Sequence, residues 1–404
     1  MEYTPYKLQL GRNSMNLKRI LKMDLPPHQS AFLWGARKTG KSTYLLKHFP
    51  HAIKYDLLKT DELTRLLASP HLLREELISL TPKQLQFPVI INEVQKAPNL
   101  LNEVHWLIEN KKIGFILCGS SARKLKRGAA NLLGGRAWRF QFYPLVYPEI
   151  PDFDLLTAFK RGLLPANYLS DQPERMLRTY VVDYLVEEIQ AEGLVRNLPG
   201  FAKFIELVGY TNGQMLNFAN ISRDIGVDAK TVKEYYQILV DTLIGYYVEP
   251  YHKKVKRDLI QSTSKFYLFD VGIANHLKHR TINILKGEEA GDAFEHYILT
   301  ELIAYLGLNE IDSSVNYWRS KSGLEVDFVL ARGKIAIETK ISSNIDMTDI
   351  KGLIAFCEDY QPDLALVVCL APKKRIITTV GKTKIEILPW KEFLENLWDN
   401  KLYF

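Results

Sequence analysis

The sequence predicts an α/β protein of more than one domain, on three observations. Gly35-Ala36-Arg37-Lys38-Thr39-Gly40-Lys41-Ser42 stands between a short apolar run, Ala31 to Trp34, and a segment with helical spacing of Leu45, Leu46 and Phe49. Two more short apolar runs, Val89 to Ile91 and that in "IGFILCGSS", end in polar residues, as buried parallel strands do. A further pair of apolar runs flanks Arg332-Gly333 like the arms of a hairpin. A chain of 404 residues exceeds one ordinary core, so two or three domains are expected.

Composition narrows the class. With 47% hydrophobic and 25% charged residues and no low-complexity tract, the chain reads as folded and globular. A net charge of +7 is compatible with a nucleic-acid partner without establishing one, because the distribution of charge matters more than its sum. Cys118, Cys357 and Cys369 lack metal-ligand spacing and read as buried thiols of a reducing compartment. The start, "MEYTPYKLQL", has no secretory pattern, and the longest apolar stretch, "LALVVCLAP", is too short to span a bilayer. A cytoplasmic protein with no membrane partner is expected.

The glycine-rich element fits the P-loop pattern in the right strand–loop–helix context. Glycines let the backbone curl so that successive N–H groups face a phosphate, above a helix N-terminus that already favours an anion. Residues 35 to 43, ending in Thr43, are thus expected to bind ATP. Lys41 reaches the β- and γ-phosphates, and the Ser42 hydroxyl is placed on Mg²⁺.

The run Val89 to Ile91 delivers Asn92 and Glu93. Glu93 is placed to polarise the attacking water. Asn92 faces the metal but brings no charge, so weaker Mg²⁺ affinity and slower turnover are expected, with a rise in turnover on restoring Asp. The third strand ends in Ser120 and Ser121, candidates to sense the γ-phosphate. Between Glu109 and Glu149 there is no acidic residue, yet Lys111, Lys112, Arg123, Lys124, Lys126, Arg127, Arg136 and Arg139 fall there. That run is either a solvated face or a polyanion contact. Arg136 is the candidate to complete a neighbouring subunit's site.

"GARKTGKS", "VIINEVQKAP", "LCGSSARKL", "GGRAWRFQFYPL", "YWRSKSGLEVDFVL", "AIETK" and "ILPWKEFL" occur in this order. Over nearly its whole length the chain resembles prokaryotic AAA-type P-loop ATPases that carry a C-terminal domain of unknown function related to the PD-(D/E)XK nucleases. That family has Asp where Asn92 stands. The resemblance implies a parallel-sheet ATPase domain, a winged-helix middle domain and an α/β nuclease-like C-terminal domain.

The expected divisions are an N-terminal segment (1–25), the ATPase core (26–150), a helical segment (151–200), a winged helix-turn-helix (201–282) and the nuclease-like domain (283–404). The boundary near 150 rests on the prolines of "YPLVYPEIPDF". In the middle part a helix, a turn with Gly226, and a helix opened by a Thr231-x-x-Glu234 capping box precede strands at 247–251 and 265–269. The loop "YHKKVKRDL" is basic (His252, Lys253, Lys254, Lys256, Arg257), whereas the second helix carries Glu234 and Asp241. Backbone contact with DNA through the loop and a plain connector role both fit; base-specific reading does not.

In "LEVDFVLARGKIAIETK" a two-residue turn at Arg332-Gly333 pairs residues whose numbers sum to 665. Asp327 then faces Glu338, and Glu325 faces Lys340, on one side. Phe328, Leu330, Ile335 and Ile337 fill the other. A divalent cation would relieve the facing carboxylates, with Lys340 beside it; the resemblance adds Glu295, on the helix of "GDAFEHYILTELIAYL", as a further metal ligand. An ordinary Glu325–Lys340 ion pair would look the same in sequence.

Two functions are compatible with these features. One is an ATP-dependent DNA-handling homo-oligomer that anchors or cuts DNA. The other is a nucleotide-controlled assembly switch that hydrolyses little and has a protein partner.

Overall fold

The computed structural model describes residues 17–121, 133–186, 195, 197–252 and 263–402. Lys253, Lys254, Lys256 and Arg257 of the basic loop lie outside them, as do Arg123, Lys124, Lys126 and Arg127. The first unit is a parallel sheet of β1 (Ser30–Trp34), β2 (Lys54–Asp56), β3 (Val89–Asn92), β4 (Phe115–Gly119) and β5 (Ala137–Gln141), in the order β2-β3-β4-β1-β5. Side-chain alternation sends Ala31, Leu33, Ile90 and Ile116 to one face, where Tyr44 and Leu45 of helix α1 (Lys41–His48) cover them. Phe32, Val89, Ile91 and Leu117 go to the other. There they meet Leu66 of α2 (Thr60–Ala68), Leu73 and Leu77 of α3 (His71–Ile78), and Leu100, Val104 and Leu107 of α4 (Leu100–Lys111). Of the apolar residues that set the spacing of α1, Leu46 is 56% exposed, and Tyr44 packs inward with Leu45.

The middle segment is helical. Helix Leu198–Thr211 packs with Phe218–Ile225 and Ala229–Asp241 around Phe204, Tyr235 and Tyr236, and β6 (Gly245–Pro250) and β7 (Lys265–Leu268) follow as an antiparallel pair. The expected capping box is displaced. The last of these helices begins at Ala229, and the Asp228 carboxylate accepts from the Thr231 N–H at 3.0 Å, because an N-cap needs an extended residue with a short acceptor.

Beyond it, β8 (Asn316–Arg319), β9 (Glu325–Leu330), β10 (Ile335–Lys340), β11 (Leu364–Cys369), β12 (Arg375–Val380) and β13 (Thr383–Pro389) build a mixed sheet in the order β12-β13-β11-β10-β9-β8-β6-β7. The β6–β7 hairpin therefore joins this sheet, through parallel pairing of Glu249 and Pro250 with Asn316 and Tyr317. The long helix Glu288–Leu308 and helix Trp390–Trp398 cover one face, where Phe328, Leu330, Ile335 and Ile337 are buried as expected; helix Lys351–Tyr360 covers the other.

The β9–β10 register matches the expected sum, with Leu330 opposite Ile335 and Phe328 opposite Ile337. The turn does not. Residues 331–334 close it, with Ala331, Arg332 and Gly333 all at positive φ. Nor does the pairing continue to Asp327. Val326 and Val329 pack on the same side, so alternation breaks between them.

Candidate functional site

Strand order decides where the nucleotide chemistry meets. Because β4 lies between β1 and β3, the carboxyl ends of all three open on one edge. Gly35 begins the loop where a Cβ would come within 2.4 Å of the Phe142 carbonyl oxygen, so only glycine fits. Lys38 and Gly40 both have positive φ (59° and 99°), the alternation that turns successive N–H groups inward. Thr39 Oγ1 donates to the Ala36 carbonyl at 2.7 Å and fixes the curl. Lys41, 6% exposed, donates to the carbonyls of Gly35 (2.6 Å) and Ala36 (2.9 Å), and burial lowers its pKa. Ser42 and Thr43 are exposed at the start of α1, whose first-turn N–H groups have no intrahelical acceptor. An anionic phosphate and its cation fit this set of donors and hydroxyls.

Glu93 sits in the left-handed region (φ 56°) and is 6% exposed. Its Oε2 accepts from Gln95 Nε2 at 2.5 Å and from Ser120 Oγ at 3.4 Å, and lies 3.7 Å from Arg37 Nη2. Glu93 and Ser120 thus meet as expected, Ser121 is buried beside them, and Arg37 and Gln95 are additional partners. Gln95 can enter only because residue 119 is glycine: a Cβ there would lie 2.4 Å from Gln95 Oε1. Cys118 lies on β4 opposite Asn92, and burial pushes its thiol up to about 12, so it stays protonated.

Asn92 does not stand alone. Its Nδ2 donates to Asp56 Oδ1 at 2.9 Å, from the adjacent end of β2. Arg19 was another residue without a sequence signal. Its guanidinium donates to the Thr39 carbonyl (2.5 Å) and to Glu149 (2.8 Å), and lies 4.1 Å from the Phe142 ring centre. A cavity of about 470 Å³, large enough for a nucleoside, opens there between Leu17, Arg19, Gly40, Thr43, Tyr44 and Pro165. Arg136, at the start of the outer strand β5, makes a close ion pair with Glu109 of α4 within the same chain.

The C-terminal carboxylates are arranged differently from expectation. Asp327 Oδ2 accepts from the Thr339 N–H and hydroxyl, both at 2.7 Å, so the carboxylate fills the gap where β9 and β10 part instead of facing Glu338. Lys340 pairs with Glu338 at 2.7 Å and not with Glu325. Glu325 pairs closely with Lys265 of β7 and, at 2.7 Å, with Arg319. Glu295 accepts from Tyr267 at 2.5 Å and faces Lys265 at 3.4 Å. Burial, and then the Asp327 charge, raise the Glu295 pKa to about 7; the same causes in the same order raise Glu338. Glu338 Oε2 is buried with no hydrogen-bond partner among the described residues. A metal would satisfy that atom, but among the described residues no three His, Cys, Asp or Glu side chains are grouped to hold an ion. The expected Glu295–Asp327–Glu338 metal set does not fit as arranged.

Residues 27–151 match the family model of an AAA domain. Residues 153–283 and 290–393 match those of two domains of unknown function, DUF8612 and DUF4143. The first match supports an AAA-type P-loop ATPase domain over residues 27–151. An uncharacterized protein of Mycobacterium tuberculosis, Rv2008c, is 22% identical over 369 residues, spanning 86% of this chain and 80% of its own length. Mb2031c, an uncharacterized protein of Mycobacterium bovis, has the same figures. No helix among the described residues is long and apolar enough to cross a membrane.

Proposed function

We propose that the protein is a slow, Mg²⁺-dependent ATPase whose nucleotide state controls its hold on nucleic-acid backbone, working as a homo-oligomer. The observation that carries the ATPase reading is that Lys41, at the head of α1 just after β1, is brought to the same edge of the sheet as Glu93 and Ser120 at the ends of β3 and β4, beside a loop of inward-turning backbone. In this reading Lys41 leaves the loop carbonyls for the β- and γ-phosphates. Ser42 and Asn92 would hold a Mg²⁺ ion, which would offset charge on the phosphate oxygens. Glu93 orients water, Ser120 and Ser121 contact the γ-phosphate, and Arg136 of a neighbouring copy completes the site.

Two features support slow turnover. Asn92 brings no charge to the metal side. Glu93 must also exchange Gln95 and Arg37 for water before it can act. Support for a nucleic-acid partner is the net charge of +7 together with exposed Arg223, Lys230 and Lys233 around the Phe218–Ile225 and Ala229–Asp241 helix pair. These helices with the β6–β7 hairpin form a winged-helix outline. The C-terminal domain is assigned a nuclease-like fold that anchors rather than cuts.

The engaged Glu93 also favours a second reading, an assembly switch with a protein partner. Steady-state ATP hydrolysis with and without DNA of several shapes separates the two. Stimulation by DNA supports the first reading; tight nucleotide binding with negligible turnover and no response to DNA supports the second.

A further inference from the structure

Among the described residues, Lys265, Arg319 and Lys340 pair with the C-terminal carboxylates. Lys265, the first residue of β7, is 5% exposed, and its ammonium sits between Glu325 Oε1 and Glu295 Oε1. The Tyr317 ring centre lies 5.4 Å from Nζ, adding the negative face of an aromatic ring. Two residues along the same strand, Tyr267 donates to the Glu295 oxygen that faces Lys265. Arg319 holds the second oxygen of Glu325, and Lys340 holds Glu338.

An ammonium buried this deeply is tolerated only when close anions compensate its lost hydration. Here those anions are Glu325, in close contact with the ammonium, and Glu295 at 3.4 Å. The four carboxylates Glu295, Glu325, Asp327 and Glu338 therefore meet three cations, Lys265, Lys340 and Arg319. A divalent ion between Glu295 and Glu325 would lie against the ammonium, and like charges at that separation exclude one another.

We infer that Lys265 is a built-in cation: its ammonium takes the place of a divalent metal between Glu295 and Glu325, and so latches β7 of the middle segment onto the C-terminal domain. The latch acts where the parallel β6–β8 contact already joins the two parts of the sheet. It gives the C-terminal domain a holding role, independently of whether the first domain hydrolyses ATP.

The test is titration of the full-length, nucleotide-free protein with Mn²⁺, read by calorimetry and by the thermal midpoint. The wild type is expected to give no binding at this site and no shift in midpoint. Lys265→Met, which removes the charge and keeps most of the length, is expected to bind Mn²⁺ about tenfold or more tightly than wild type. Adding Glu295→Gln should abolish that gain. A wild type that binds Mn²⁺ and loses it on Glu295→Gln overturns the inference. So does a folded Lys265→Met that gains nothing. Should Lys265→Met fail to fold, the wild-type arm decides alone: a Mn²⁺-dependent rise in midpoint abolished by Glu295→Gln contradicts the latch, and its absence supports it.

Discussion

Asn92 and Asp56 are joined across the β2–β3 pair, with the amide of one donating to the carboxylate of the other at 2.9 Å. The bond fixes the orientation of the amide, so its oxygen points away from Asp56. The carboxylate missing from the end of β3 stands one strand over.

Restoring Asp at position 92 alone therefore sets two carboxylates side by side. Asn92→Asp should destabilise the nucleotide-free protein by about 1 kcal/mol or less, since like charges on paired strands repel. It should also raise Mg²⁺-dependent turnover, because a bound cation relieves that repulsion. The exchange Asp56→Asn with Asn92→Asp recreates the pair in mirror order; it should recover the thermal midpoint and raise Mg²⁺-dependent hydrolysis. Thermal melts of the two variants without nucleotide check the first part, and steady-state rates the second.

Glu93 is held by Gln95, Ser120 and Arg37. Glu93→Gln should keep nucleotide binding and lower hydrolysis by about a hundredfold or more, the usual effect of losing a positioned base. Gln95→Ala should speed hydrolysis by releasing the carboxylate. A slower Gln95→Ala enzyme would show that Gln95 positions Glu93 and does not restrain it. Single-turnover rates distinguish these.

Glu301 is buried in helix Glu288–Leu308, where its two oxygens accept from the Tyr147 N–H (2.9 Å) and Trp398 Nε1 (2.7 Å). Burial pushes its pKa up to about 8. Between the ordinary value of 4.5 and about 8 the folded chain binds a proton that the unfolded chain has lost. Stability contributed by this group is thus complete below the lower value and falls as pH rises to the upper one. Glu301→Gln should flatten that part of the stability profile, measured by denaturant melts from pH 5 to 8.

Lys230 and Lys233 lie exposed on the first turns of helix Ala229–Asp241. If they contact phosphates, replacing each with Ala should weaken DNA binding for all sequences alike and reduce the salt slope of affinity by about 1. An unchanged slope removes these two residues from the interface.

Much of the first domain was legible because its signals are local. A short apolar run fixes a buried strand, and the loop glycines answer to close contacts such as Gly35 on Phe142. The β9–β10 register was legible for the same reason: a hairpin sets its own pairing. What the text of the chain could not carry were partners from distant elements. Asp56 closes the run "IKYD" like many strand-end residues, and only β2–β3 pairing makes it the partner of Asn92. Lys265 is 60 residues from Glu325 in sequence, and nothing in "TSKFYL" marks its lysine as buried. The local break of alternation at Asp327 follows from Thr339 competing for its carboxylate, an outcome of packing rather than of pattern.

The most direct measurement is titration of wild type and Lys41→Ala with a fluorescent ATP analogue in Mg²⁺. Saturable one-to-one binding by the wild type, lost or weakened about a hundredfold or more in Lys41→Ala, is the predicted result. A wild type that binds no nucleotide, or a Lys41→Ala variant that binds as well as wild type, would contradict the assignment of residues 35 to 43 as a phosphate cradle.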